Sequence, residues 1–296
     1  MRLKYRKYSL QSGAKMVKTR LAMTLSAAAL IMGGGTGVSL ALFGTASADS
    51  GSSVIVTPTN TQGWSTDDTR PGGAVTYNTD TTAPGTPHAG SLTLTTDATT
   101  TSKAQYMHAA STPLSNVNEL SYATKQVSGP VFADPSYQLG TCLGGIVNNA
   151  CVGFTTFVYE PYENGVVTPG SWQTWDVAAG QVWSSRTYTD GGTCAVLAGA
   201  GGAPFYSLSA LKTACPNAVV VSFGVNIGSN NPSYNVQADL VDFNGTTYNF
   251  EPFAAVSDKD ACKDGGWKTA VDANGNGFKN QGACVSYVAS GGKSQH

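Results

Sequence analysis

Aromatic side chains are the strongest candidates for ligand chemistry in this sequence. Trp172, Trp175 and Trp183 fall in one stretch of the chain with Tyr159, Tyr162 and Tyr188. Indole and phenol rings offer a flat apolar face with a polar edge, a surface on which the C–H faces of sugar rings stack. Trp172 and Trp175 are three residues apart, so on a strand they point to opposite faces, one inward and one outward. Core packing is the competing role for all three tryptophans. Trp172, Trp175, Trp183 and Tyr162 are the candidate ligand-binding residues.

Other chemistries find less support. A glycoside hydrolase needs two carboxylates about 5–10 Å apart across the scissile bond. Glu160 and Glu163 flank Pro161-Tyr162 in a turn-like segment, where exposed carboxylates are usually only solvated. Asp239 and Asp242 are at odd separation on a predicted strand, which puts them on opposite faces. A Ser or Cys nucleophile needs a base, but the only histidines are His88, His108 and His296, and no G-x-S-x-G turn occurs. No catalytic residue is singled out. Asp272-Ala273-Asn274-Gly275-Asn276-Gly277 opens like a calcium loop, yet the twelfth position is Ala283 where a bidentate Glu is required, so turn chemistry accounts for it. Gly199-Ala200-Gly201-Gly202 lacks the Lys-Ser/Thr of a phosphate loop. With no C-x-x-C pair either, no metal and no cofactor is predicted.

Charge and cysteine usage narrow the class. The chain has 296 residues, of which 12% are charged. Seven of the 17 Lys+Arg precede Ala48 and no Asp or Glu does, so residues 49–296 carry a net charge of about −8. An acidic chain without a Lys/Arg patch argues against nucleic-acid binding. The basic start, the apolar stretch Leu21 to Leu42 and Ala46-Ser47-Ala48 read as a signal peptide, residues 1–48, cleaved after Ala48. Secretion into the extracellular space, with no membrane attachment after cleavage, is the expectation. Cys142, Cys151, Cys194, Cys215, Cys262 and Cys284 are an even set for an oxidising compartment. Six cysteines allow 15 connectivities, and their spacing in close pairs favours 142–151, 194–215 and 262–284.

The elements that must position these residues are short. From residue 49 to 255, alternating or β-branched runs are broken by Gly, Pro, Asn and Asp, the pattern of an all-β sandwich. Ten strands are predicted: 53–57, 74–77, 91–95, 104–109, 120–125, 153–159, 172–177, 218–227, 234–243 and 246–250. Val219 to Val225 is nearly continuous in apolar residues, as in a strand buried on both faces. Asn244-Gly245 predicts a two-residue hairpin. Only 207–214 has helical spacing. Residues 256–296 change character, with five Lys against four Asp and their own cysteine pair, and read as a separate small module closed by its disulfide.

Gly63-Trp64 near the start, Gly90-Ser91-Leu92-Thr93-Leu94-Thr95-Thr96, Ala238 to Asn244 and Tyr248-Asn249-Phe250-Glu251 resemble bacterial secreted jelly-roll domains related in shape to carbohydrate-binding modules and concanavalin-like lectins. Cys262 to Trp267 and Gly277 to Val288 resemble a short cysteine-paired motif at the ends of bacterial secreted proteins. The resemblance implies a jelly-roll β-sandwich over residues 49–255, more than any reaction. A noncatalytic binding protein for a polysaccharide or cell-envelope polymer is the leading expectation. A glycan-degrading hydrolase and a structural surface protein are the alternatives. Nonreducing peptide mapping should return three local bridges; a free thiol or a long-range bridge such as 142–284 would overturn the pairing.

Overall fold

The computed structural model describes residues 51–293, except 86–89, 131–132, 190–193, 195–196, 198, 200, 254, 269 and 274. The leader and its cleavage point, His88, His296 and Asn274 lie outside the described residues. Among the described residues, no helix is long and apolar enough to cross a membrane.

The runs of β-branched and aromatic residues form strands that end where Gly, Asn or Asp turn the chain. In order these are β1 (Ser52–Val56), β2 (Trp64–Ser65), β3 (Gly73–Asn78), β4 (Ser91–Thr96), β5 (Ala104–Pro113), β6 (Leu120–Ser128), β7 (Ser136–Cys142) and β8 (Ile146–Val147). Then follow β9 (Ala150–Cys151), β10 (Phe154–Tyr159), α1 (Pro161–Asn164), β11 (Gln173–Asp176), β12 (Gln181–Ser184), β13 (Tyr206–Ser207), α2 (Leu208–Ala214), β14 (Val219–Ile227), β15 (Asn235–Phe243), β16 (Thr246–Phe250) and α3 (Gln281–Ala289).

They make a jelly-roll β-sandwich. The first sheet is built on β15, with β6 and then β11 on one side. On its other side β4 and β3 follow its first half, and β16 and β1 its second. The β1–β16 pair is parallel and the other pairs of this sheet are antiparallel. The second sheet runs β13-β12-β10-β7-β14-β5-β2, antiparallel throughout. The Asn244-Gly245 turn between β15 and β16 has positive φ at both residues, 54° and 78°, as a type I′ hairpin requires.

Alternation along each strand sends one set of side chains between the sheets. Val236, Ala238 and Val241 of β15 face Phe223, Val225 and Ile227 of β14, with Leu92, Leu94, Tyr137, Leu139 and Phe157 filling the layer. Trp64, 3% exposed, lies at the centre of an aromatic group. It stacks on Tyr106 at 5.3 Å and meets Phe250, Phe223 and Tyr248 edge-on at 5.0–5.5 Å. His108 belongs to this group, packed on Phe223 at 5.1 Å with its ring nitrogens on the Ala109 and Gln62 carbonyls.

Several features differ from the sequence expectation. The register of β15 against β6 shifts between Asp239 and Asp242, which pair with Ala123 and Ser121. Those partners are two apart on β6 and share a face, so the bulge brings Asp239 and Asp242 to the same face, and the parity argument for opposite faces fails. The central strand β7 is absent from the ten predicted strands because Gly140 interrupts it, and α3 was not predicted either. Helix α2 does fall on the predicted segment, capped by Ser207 Oγ, which accepts from the Ala210 N–H at 3.1 Å.

Disulfides join Cys142–Cys151, Cys194–Cys215 and Cys262–Cys284. The first closes the β8–β9 hairpin. The third closes a small C-terminal module with its own apolar cluster of Cys262, Phe278, Cys284 and Tyr287, against which Trp267 packs. There Asp272 accepts from the backbone and side-chain nitrogens of Asn276 at 2.8 and 3.0 Å, so its carboxylate holds a turn.

Trp64→Ala should destabilise the sandwich by about 3–5 kcal/mol in urea unfolding, since it removes the ring both sheets pack on. Deleting residues 256–296 should leave a cooperative melt with β-type circular dichroism; an unfolded truncation would show that the tail belongs to the main core.

Candidate functional site

On the second sheet the outer face is a lined groove. Register places three cross-strand rows on it: Gln105, Asn226 and Ser136; Met107, Gly224, Gln138, Val158 and Trp183; and Ala109, Ser222, Gly140 and Thr156. The floor is low because two central positions are glycine. A β carbon at Gly140 would come within 2.3 Å of Ser222 Oγ, and one at Gly224 within 2.2 Å of the Tyr106 carbonyl oxygen. Glycine inside a strand marks such a close approach.

The groove contains two cavities that share Gln138. The first, about 600 Å³, is lined by Met107, Gly140, Thr156, Phe154, Arg186 and the ion-paired Asp68 and Lys103. Phe154 is 39% exposed, with the Arg186 guanidinium 5.4 Å from its ring centre. The second, about 430 Å³, is lined by Val158, Trp183, Tyr162, Asn226 and two carboxylic acids, Asp134 and Glu160. Both volumes suit a small ligand or a short polymer segment.

The two acids are held in a setting that disfavours charge. Asp134 accepts from the Thr124 hydroxyl at 2.7 Å through one oxygen, while its other oxygen is buried with no partner. Burial pushes its carboxyl up to about 6. Glu160 precedes α1 at the end of β10, and burial, then the nearby charge of Glu163, push it up to about 8. Glu163 itself is exposed on α1, so the two glutamates do not share a cavity.

The four aromatic candidates do not form one platform. Trp183 and Tyr162, the latter 42% exposed, line the second cavity. Trp175 is 8% exposed in the core, where its Nε1 donates to Thr124 Oγ1 at 2.7 Å. Trp172 is half-buried beside the first sheet, with Nε1 3.3 Å from Asp80 Oδ2 and Lys125 Nζ 5.9 Å from its ring centre. Phe154, Arg186, Gln138 and Asp134 were not singled out from sequence, and Gly140 and Gly224 were the only signal that could have pointed to the groove.

A β-sandwich with one grooved sheet face is the class these observations define. No protein-family profile and no curated protein matches the chain. Among solved structures it is similar to the family 11 carbohydrate-binding module of the cellulosomal cellulase Lic26A-Cel5E of Clostridium thermocellum, at 14% identity over 65% of this chain and 91% of that one, TM-score 0.36. It is similar also to a family 11 carbohydrate-binding module of the same organism in complex with a β-1,3-1,4-mixed-linked tetrasaccharide, at 13% identity over 64% and 91%, TM-score 0.36.

The Glu160 environment has a pH consequence. Its carboxyl titrates higher in the folded than in the unfolded chain, so its contribution to stability is complete below about pH 4 and is lost as pH rises through about 8. Wild type should therefore lose about 2–4 kcal/mol relative to Glu160→Gln between pH 5 and pH 9, read by urea unfolding at each pH.

Proposed function

We propose that this protein is a secreted, noncatalytic binding protein for a polysaccharide or a glycan of the cell envelope, held in the groove on the outer face of the second sheet. The single observation that carries this reading is the groove itself, where Phe154, Trp183 and Tyr162 line an open sheet face over a glycine floor. Aromatic faces supply stacking for sugar rings, and Gln138, Thr156, Ser222 and Asn226 supply hydrogen bonds for hydroxyls. The acidic balance of residues 49–255, with five Lys+Arg against 14 Asp+Glu, disfavours anionic polymers and favours neutral ones.

A hydrolase is the second reading, favoured by one observation: Asp134 and Glu160 line the same cavity, and both carboxyls are raised. An acid that keeps its proton near neutral pH is what glycosidic-bond protonation uses.

Retention on a panel of insoluble polysaccharides tests both. Trp183→Ala and Phe154→Ala should each weaken binding about tenfold or more with little change in melting temperature, whereas Trp172→Ala, beside the other sheet, should leave binding intact. Loss of fold in both groove variants, or equal retention by all three proteins, would remove the groove from consideration. Release of reducing sugar by wild type, abolished in Glu160→Gln while retention persists, would replace the binding reading with the enzyme.

A further inference from the structure

The second cavity of the groove holds two acids and no positive charge. Among the described residues its lining includes Asp134, Glu160, Gln138, Asn226, Trp183 and Tyr162, but no Lys, Arg or His. Neither Asp134 nor Glu160 takes part in an ion pair with a described residue. Asp134 is 1% exposed; the Thr124 hydroxyl holds its Oδ2, and its Oδ1 is buried without a partner. Glu160 is tied to α1 through its backbone carbonyl, which accepts from the Glu163 N–H at 3.2 Å and from Asn164 Nδ2 at 2.9 Å. That arrangement leaves the Glu160 side chain to the cavity. The titratable groups coupled to Glu160 by charge are Tyr122, Tyr162 and Glu163, and none of them is cationic.

A carboxyl in such a place is satisfied in one of two ways: it keeps its proton, or it meets a cation. A primary ammonium carries three N–H donors and no acceptor, and this cavity offers carboxyl and amide oxygens with aromatic rings beside them. Exposure falls from 42% at Tyr162 to 3% at Asn226 and 1% at Asp134, so the cavity runs from an open rim to a buried acid. At about 430 Å³ it takes one sugar-sized group. Gln138 also lines the cavity of Phe154, Thr156 and Ser222. A ligand that places an amine on the acids therefore continues over a stacking ring and partners for hydroxyls.

We propose that the second cavity is an ammonium site, and that the glycan held in the groove carries free amines, as 2-amino-2-deoxy sugars do, with Glu160 and Asp134 receiving the ammonium beside Trp183 and Tyr162. This inference rests on the glycan reading and names the class of glycan. Burial raises Asp134 to about 6 and Glu160 to about 8, so without a cation Glu160 keeps its proton at neutral pH. As the ammonium enters, that proton passes to solvent and the carboxylate accepts an N–H donor in its place. The acidic balance of residues 49–255, which turns anionic polymers away, draws a cationic one in. An N-acetyl or hydroxyl group on the same sugar carbon brings no charge, so the cavity separates sugars of one backbone by the amine alone.

The test is isothermal titration calorimetry on the full chain at about pH 6, where Glu160 keeps its proton and an aliphatic amine is charged. The ligands are β-linked glucosamine oligosaccharides and their N-acetylated and hydroxyl counterparts of equal length. The amino form should bind about tenfold or more tighter than either counterpart, with release of about one proton per site, read from buffers of different ionisation enthalpy. Salt at about 0.5 M should reduce that preference severalfold. Glu160→Gln and Asp134→Asn should each bring the preference to within about threefold of unity, and Glu160→Gln should abolish the proton release. Equal binding of the three sugars would overturn this inference and leave the groove reading standing, whereas binding of none would overturn both. A full preference retained in both variants would assign it to the acidic surface at large and overturn the proposal equally. Should a variant fail to fold, the wild-type proton release decides, and its absence overturns the proposal.

Discussion

The rings packed around Trp64 are the constraint on which the rest of the structure depends. Trp64 comes from β2, the last strand of the second sheet, yet it touches Tyr248 and Phe250 of β16 in the first. Tyr106 and Phe223 approach from the second sheet, and Phe223 stacks on Phe243 of the first at 4.3 Å. Offset and edge-on rings of this size bury large apolar areas and fix the distance between layers. With its inner face anchored in this way, the second sheet can leave its outer face open to solvent without loss of cohesion.

The two outer faces use that freedom differently. The second sheet keeps polar and aromatic side chains over glycines, which makes a groove. The first sheet is overlaid by chain, and polar groups on it are paired where the overlay permits: Asp80 with Lys125, Thr82 and Trp172, Asn78 with Ser91 and Thr93. Buried acids on this face accept from nearby donors, Asp239 from the Phe250 N–H and Asp242 from the Gly245 N–H and the Thr247 hydroxyl. The same fold therefore separates an open groove from a face of paired polar groups, on opposite sides of a shared core.

Raised carboxylates occur on both sides for a common reason, the loss of hydration, but their surroundings differ. Asp134 and Glu160 line one cavity of the groove, Asp134 with 1% of its surface exposed. Asp239 and Glu251 are fully buried.

Local pattern determined much of this protein from the sequence alone. Alternation and turn residues mark most strands, because strand periodicity and the Asn244-Gly245 turn are decided within a few residues. The Cys pairs are spaced for the local loops they close. Tertiary structure decided the rest, where meaning depends on partners far along the chain. Strand β7 escapes a local reading because Gly140 breaks its pattern, and only pairing with β10 and β14 makes it central. Asp239 and Asp242 share a face because β15 bulges against β6, which parity counted along one strand cannot register. Trp175 and Trp183 look alike in sequence, yet cross-strand neighbours bury one against Thr124 and set the other on a groove wall. A side chain's face is set by its own strand, but its exposure is set by what the other strands bring over it.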